Sequence, residues 1–119
     1  MAQGAGDLLV RLLSAWNEAD ADARAVILDE ALGASFTYED PHAPEPLHGA
    51  DGMAGYLTIF RENLPDAVLL PIGAPQVTHD TAMTRARIDR DGTPFANLLF
   101  VGTAGSDGLT RVTGFVESE

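Results

Sequence analysis

The carboxyl-terminal half of the sequence constrains the fold most strongly, because strand-forming runs follow one another there with only short turns between them. The runs span residues 68–77, 81–90, 94–103 and 109–117. Asp91-Gly92, between the second and third runs, is typical of a two-residue type I′ hairpin turn. Strands joined by turns this short pair in antiparallel order. This half of the chain therefore predicts an antiparallel meander, one face of which has to be covered.

Three amphipathic helices are predicted before the meander, and they supply that cover. Their apolar residues recur near the helical period. The stripes are Leu8, Leu9, Leu12, Leu13 and Trp16, then Val26, Ile27, Leu28, Ala31 and Leu32, then Met53, Tyr56, Leu57, Phe60 and Leu64. A short alternating run at 36–40 stands between the second helix and the third, which covers roughly 51–64. The sequence predicts a single α+β domain over residues 1–119, with the helices packed on a curved, mainly antiparallel sheet.

The Asp91-Gly92 turn also predicts which residues of its two strands face each other. The expected pairs on one face are Ile88 with Phe95, Ala86 with Asn97, Thr84 with Leu99 and Ala82 with Val101. This face has no charge, so we expect it beneath the helices, with Asn97 as its one polar side chain. The other face would expose Met83, Leu98, Phe100 and Phe115. Such an apolar patch predicts a partner surface.

The charge of the chain excludes some partners. It has 18 acidic and 7 basic residues, a formal net charge of −11. That surface repels phosphate and anionic lipid, so we expect neither nucleic acid nor a membrane as partner. The chain has no cysteine, which excludes disulfides and a thiolate nucleophile. Residues 1–7 lack the features of a signal peptide, and a cytoplasmic location is expected.

Asp40 is the first candidate for chemistry. Phe36, Tyr38 and Asp40 alternate along one face of the predicted short strand, which Pro41 ends. A carboxylate on the helix side of the sheet would be partly desolvated and suited to general-base work. The alternative is that Asp40-Pro41 is simply the turn that ends a strand.

Each of the other polar and aromatic candidates has a functional and a structural interpretation. Asn97 could donate to a ligand oxygen, or a neighbouring backbone group could satisfy its amide. Trp16, Tyr38 and Tyr56 could line a ligand pocket, or be plain core. His42 and His48 match no metal motif, so a surface-loop role is favoured and neither a metal nor another cofactor is expected.

Two short motifs resemble the ketosteroid-isomerase-like and SnoaL-like domains of the nuclear transport factor 2-like superfamily. One is Trp16-Asn17-Glu18-Ala19-Asp20, and the other is Tyr38-Glu39-Asp40-Pro41, which is followed by a proline-containing loop, Gly49 and a helix bearing Tyr56. The resemblance covers residues 8–117 and implies a cone-shaped α+β roll. It also implies a small apolar ligand and a homodimer that pairs through the outer sheet face.

The resemblance assigns Asp40 the position of the base that removes a proton next to a ketone. The family's tyrosine donor falls at Leu12 and its acidic donor at Asn97, so one donor is lost and the other becomes an amide. Losing a placed donor costs ~10²–10³ in rate, which argues against classical steroid isomerisation. The resemblance then implies Asp40 and Asn97 as catalytic residues. The ligand-binding residues would be Leu12, Trp16, Phe36, Tyr38, Tyr56 and Leu99.

Two functions stay open at this point. The chain is either an isomerase- or cyclase-type enzyme in which Asp40 moves a proton on an apolar carbonyl compound, or a non-catalytic ligand-binding or dimeric structural domain.

Overall fold

Three helices lie against one side of a six-stranded sheet in the computed structural model, which describes residues 4–117. The helices are α1 (Ala5–Ser14), followed by a 3₁₀ turn (Ala15–Asn17), α2 (Ala21–Ala31) and α3 (Gly49–Asn63). The strands are β1 (Leu32–Glu39), β2 (Leu47–His48), β3 (Ala67–Thr78), β4 (Thr81–Arg90), β5 (Thr93–Gly105) and β6 (Gly108–Glu117). None of these helices is long and apolar enough to cross a membrane.

The sheet has the order β2-β1-β6-β5-β4-β3. All neighbouring strands are antiparallel except β1 and β6, which pair in parallel. The predicted α+β class, with three helices on a mainly antiparallel sheet, is therefore confirmed. Asp91 and Gly92 both have positive φ, at 50° and 78°, as a type I′ turn requires.

The predicted helical stripes form the core between helices and sheet, except that Val26 of the second stripe is 55% exposed. All five residues of the first stripe are buried, and Leu9, Leu12 and Leu13 have no exposed surface. Asp20 caps α2, because its carboxylate accepts from the backbone nitrogen of Ala23 at 2.8 Å. The third stripe divides: Met53 and Leu57 are fully buried, whereas its aromatic members are half-buried and border a pocket.

The turn after α1 is fastened to both α3 and the edge strand β3. The Asn17 side chain donates to the carbonyl oxygen of Leu69 at 2.8 Å and accepts from the backbone nitrogen of Leu69 at 2.7 Å. The Arg61 guanidinium donates to the carbonyl oxygens of Trp16 at 3.2 Å and Ala67 at 2.7 Å. These bonds fix Trp16 beneath the sheet at the place where it borders the pocket.

The pairing of β4 with β5 departs from the predicted register by one residue. Arg90 lies opposite Thr93, as the turn predicts, but Ile88 lies opposite Ala96 and not Phe95. Phe95 is therefore the extra residue of a β-bulge. From that residue on, each side chain of β5 is on the face opposite to the predicted one.

The bulge reverses the predicted faces in the middle of β5. Asn97 and Leu99, which a register without a bulge places under the helices, lie on the outer face. Leu98 and Phe100, which that register leaves outside, are only 8% and 2% exposed. The predicted placement of all four is wrong, because one bulged residue shifts the alternation of a strand by one position.

An apolar outer face nevertheless exists, in which Phe115 is as predicted and the other residues are mostly different. Val68, Leu70 and Ile72 of β3 are exposed, and so is Phe115 of β6. Leu99 lies directly opposite Phe115 in the same row. The outer face is therefore apolar on both sides of the row of arginines that β4 contributes.

Candidate active site

A pocket of about 440 Å³ lies between α3, the loop after β1 and the strands β4 to β6. That volume is within the range of small-molecule sites. The aromatic residues that border it are Trp16, Tyr38, Tyr56, Phe60, Phe95 and Phe100, together with Phe115, whose side chain is on the outer face of the sheet. Its polar side chains, besides the two tyrosine hydroxyls, are Asp40, His42 and Asn63. The pocket therefore suits a largely apolar compound that carries few polar groups.

Asp40 follows β1 and places its carboxylate at the pocket. Oδ1 accepts from the backbone nitrogens of His42 and Ala43, both at 2.8 Å. Oδ2 accepts from the hydroxyls of Tyr38 at 2.5 Å and Tyr56 at 2.6 Å. A carboxylate has about four lone-pair sites, so these four donors occupy all of them. Asp40 is thus both the turn residue and the pocket carboxylate that the sequence leaves as alternatives.

The two tyrosines reach Asp40 from different elements. Tyr38 is on β1 and is fully buried, with its ring 6.0 Å from Trp16 and 5.7 Å from Tyr56. Tyr56 is on α3 and is half-buried. Burial, and after it the negative charge of Asp40, raises the pKa of Tyr38 far above its ordinary value of 10. Burial and the hydrogen bond to Asp40 likewise raise the pKa of Tyr56. Both hydroxyls therefore remain protonated donors at any ordinary pH.

The raised pKa values predict a loss of stability in alkali. Above pH 10, tyrosines ionise in the unfolded chain but not in the folded one, so the unfolded state binds fewer protons and stability falls as pH rises. The chain has no lysine or cysteine, so little else titrates in this range. We expect the midpoint of thermal unfolding to fall between pH 10 and about 11.5.

Removing the Tyr56 hydroxyl should weaken the decrease in melting temperature above pH 10. In Tyr56→Phe the dependence of the melting temperature on pH above 10 should be weaker than in the parent chain. Equal slopes in both proteins, measured by circular dichroism at matched ionic strength, would show that the Tyr56 hydroxyl does not contribute to the alkaline transition.

Gly114 on β6 leaves space for the cluster formed by Asp40, Tyr38 and Tyr56. A Cβ at this position would lie 3.2 Å from each of three atoms: Asp40 Cβ, Tyr38 Oη and Phe100 Cε1. This is tighter than ordinary van der Waals contact. A larger side chain here would require these neighbours to shift by a few tenths of an ångström, although the backbone conformation of Gly114 is an ordinary one.

The structure brings together four of the eight residues predicted for the site. Asp40, Trp16, Tyr38 and Tyr56 all border the pocket. Four others do not: Leu12 and Phe36 are buried in the core, and Asn97 and Leu99 lie on the outer face because of the bulge. The predicted polar partner of Asp40 across the pocket is thus replaced by tyrosine hydroxyls.

Several pocket residues are missed by the sequence reasoning. Asn63 follows Tyr56 by seven residues, two helical turns, and that spacing alone could have assigned it to the same face of α3. His42, assigned to a surface loop, contributes to the pocket wall. Phe95 is predicted under the helices opposite Ile88 but is not among the predicted site residues; it is the bulged residue, 58% exposed, and it borders the pocket.

No arrangement for a metal ion is present in the described part of the chain, where no three histidine or acidic side chains converge. Within residues 4–117 the pocket offers a carboxylate, an imidazole, an amide, hydroxyls and aromatic faces as its chemical groups.

Solved structures with the same architecture exist, although the sequences have diverged. No protein-family profile and no curated protein sequence matches the chain. A proposed isomerase of the SnoaL-like family from Agrobacterium tumefaciens superposes with a TM-score of 0.86 at 23% identity, over 94% of this chain and 96% of that one. A proposed SnoaL-like polyketide cyclase from Jannaschia sp. gives 0.75 at 15% identity, over 95% and 85%.

A third similar structure connects the fold to the ketosteroid-isomerase-like domains of the predicted resemblance. It is a protein with a ketosteroid isomerase-like fold from Catenulispora acidiphila, solved with trimethylamine. Its TM-score is 0.72 at 14% identity, over 90% of this chain and 82% of that one. The chain therefore has the α+β fold that SnoaL-like and ketosteroid-isomerase-like structures share, and the predicted resemblance is confirmed at the level of the fold.

Proposed function

We propose that this domain binds a small, largely apolar carbonyl compound and moves a proton on it, with Asp40 as the base. The observation that carries the proposal is one carboxylate bordering an aromatic pocket, with two protonated hydroxyls directly on it. A base and hydroxyl donors held side by side are what the removal of a proton next to a carbonyl needs.

The similar structures support the same class of reaction. Two of them are described as an isomerase and a polyketide cyclase. An isomerisation or a cyclisation of a carbonyl compound can start when a base removes the hydrogen from the carbon next to the carbonyl. Asp40 and His42 are the groups of this pocket that could accept such a proton, and Asp40 is the one on which the two tyrosine hydroxyls converge.

The direct test is exchange of the hydrogens next to a ketone. 2-Tetralone is a compact aromatic ketone of the size and polarity that the pocket suits, and its hydrogens next to the carbonyl are acidic. In D₂O the protein should speed their replacement by deuterium, followed by NMR, in proportion to protein concentration. Exchange at the buffer rate with saturating 2-tetralone would contradict proton-transfer activity on this class of ketone.

A non-catalytic ligand-binding domain is the second candidate. It is favoured by the four hydrogen bonds on Asp40, which suit a residue that only organises a turn and a pocket wall. This candidate predicts that 2-tetralone raises the melting temperature, as any ligand of the folded state does, while its hydrogens exchange at the buffer rate.

We also propose that two copies pair through the outer face of the sheet. The exposed side chains Val68, Leu70 and Ile72 on one side, and on the other the half-buried Leu99 and the exposed Phe115, supply apolar surface that a second copy would cover.

Sedimentation should show a dimer, and Ile72→Asp with Leu99→Asp should convert it to a monomer, because the two changes would bury unpaired charges at the contact. The matched control is Val26→Asp on the exposed side of α2, where the side chain is 55% exposed. It should leave the dimer intact. A parent chain that sediments as a monomer at high micromolar concentration would contradict the pairing.

A further inference from the structure

The hydrogen bonds of Asp40 leave it no lone pair with which to take a proton. Its two oxygens have about four lone-pair sites, and four donors lie within 2.8 Å of them. A base has to accept the substrate's proton on one of those sites. If Asp40 is the base of the proposed function, one of the four donors has to leave first.

Three of the four donors are fixed by their surroundings. The backbone nitrogens of His42 and Ala43 belong to the tight turn after Asp40, in which Ala43 also donates to the Asp40 carbonyl oxygen at 3.2 Å. Tyr38 has no exposed surface, and its hydroxyl is so close to β6 that a Cβ on Gly114 would come within 3.2 Å. None of these groups can move away without moving the backbone or the core.

Tyr56 is different, because its side chain is half-buried and borders the pocket from α3. Rotation about its own side-chain bonds moves the hydroxyl into the pocket while the helix stays in place. We propose that Tyr56 is a catalytic residue: its hydroxyl leaves Asp40 Oδ2 when a carbonyl compound binds, and donates to the carbonyl oxygen. This inference rests on the proposed function.

One movement then does two things for the reaction. It frees a lone pair on Asp40 Oδ2, and it places a donor on the oxygen where negative charge develops. The carbonyl oxygen and the hydrogen on the neighbouring carbon belong to one small fragment. The Tyr56 hydroxyl and Asp40 Oδ2 start 2.6 Å apart. They are therefore close enough for one to bind the carbonyl oxygen while the other accepts the hydrogen of the neighbouring carbon.

The steps balance without any further reactant. The C–H bond next to the carbonyl breaks and its proton passes to Asp40 Oδ2. The electron pair of that bond forms the C=C of an enolate, whose oxygen accepts from Tyr56. Asp40, now a carboxylic acid, exchanges its proton with solvent, and the enolate takes a proton (in D₂O a deuteron) from it at the same carbon or at another one as the C=O re-forms. Leu12 and Asn97 give no donor to this pocket, so Tyr56 takes the place of both.

The test compares Tyr56→Phe with Tyr38→Phe, which removes the other hydroxyl from the same carboxylate oxygen. With 2-tetralone in D₂O, Tyr56→Phe should lower kcat for exchange ~10²–10³-fold with little change in KM, because the donor acts in the transition state. Tyr38→Phe should lower kcat roughly tenfold or less, because in the parent chain the hydrogen bond from Tyr38 to Asp40 stays in place during the reaction.

The outcomes separate this inference from the proposed function. Asp40-dependent exchange that is unchanged or faster in Tyr56→Phe would leave Asp40 as the base and overturn the role of Tyr56. Equal losses in the two tyrosine variants would also overturn it. Exchange at the buffer rate in the parent chain would overturn the proposed function and this inference with it.

A crystal structure with 2-tetralone gives a second readout, independent of rate. Tyr56 Oη should lie within hydrogen-bond distance of the ketone oxygen and beyond that distance from Asp40 Oδ2. A bound ketone with Tyr56 still on Asp40 would overturn the inference, whatever the exchange rates are.

Discussion

Asp40→Asn should lower the exchange of 2-tetralone hydrogens ~10²–10⁴-fold, the usual contribution of a positioned general base. An amide has the shape of the carboxylate but does not accept a proton at neutral pH. Its oxygen can still accept from the backbone nitrogens of His42 and Ala43, and the hydroxyls of Tyr38 and Tyr56 can turn to meet its NH₂ group. The fold should therefore survive, as a cooperative melt would show.

Glu39→Gln is the matched control for that variant. Glu39 is the preceding residue, alternates to the other face of the strand and pairs with Arg111 at 2.7 Å near the surface. The same change of carboxylate to amide should leave exchange at the parent rate. If Asp40→Asn also exchanges at the parent rate, Asp40 is not the base.

Leu98→Asp should be strongly destabilising, and Asn97→Asp should be nearly neutral. Leu98 is 8% exposed on the inner face, so a carboxylate there loses water without gaining a partner and costs about 3 kcal/mol or more. Asn97 is exposed on the outer face, where a substitution stays within about 0.5 kcal/mol. Urea unfolding of both variants measures the difference.

This pair of variants tests the bulge itself. If β4 and β5 paired from the Asp91-Gly92 turn without a bulge, Asn97 would face the helices and Leu98 would face outward. The order of the two destabilising effects would then be reversed. A larger loss from Asn97→Asp than from Leu98→Asp would show that Phe95 is not bulged. The slope of unfolding free energy against urea should stay constant across the series, so that the midpoints report stability alone.

The helices and the four-stranded meander follow from hydrophobic period and short turns, and for that reason the sequence predicts them. Burial of one helix stripe is a property of many residues at once, and a single exception does not change it. The register of β5 depends on one residue. Pro94 lacks the N–H that a ladder needs, and such residues are common at bulges. Whether the chain bulges there, or simply starts the strand later, depends on how the sheet curves over the helices.

The site is predictable to the extent that it lies within one strand. Alternation along β1 is enough to put Tyr38 and Asp40 on one side. The contact between Asp40 and Tyr56 joins residues of a loop and a helix, and it depends on how α3 docks on the sheet. The position of Gly114 against the cluster depends on the parallel pairing of β6 with β1, which places Val112 beside Tyr38. No local pattern contains that information.

The chain has one tryptophan and two tyrosines, and all three border the pocket. The near-ultraviolet absorbance and the intrinsic fluorescence of the protein therefore arise almost wholly at this place, with the phenylalanines contributing only weakly. A molecule that enters the pocket would change the emission of Trp16 without any attached dye. The protein thus carries its own optical reporter of occupancy, and an unlabelled library of compounds could be screened with it directly.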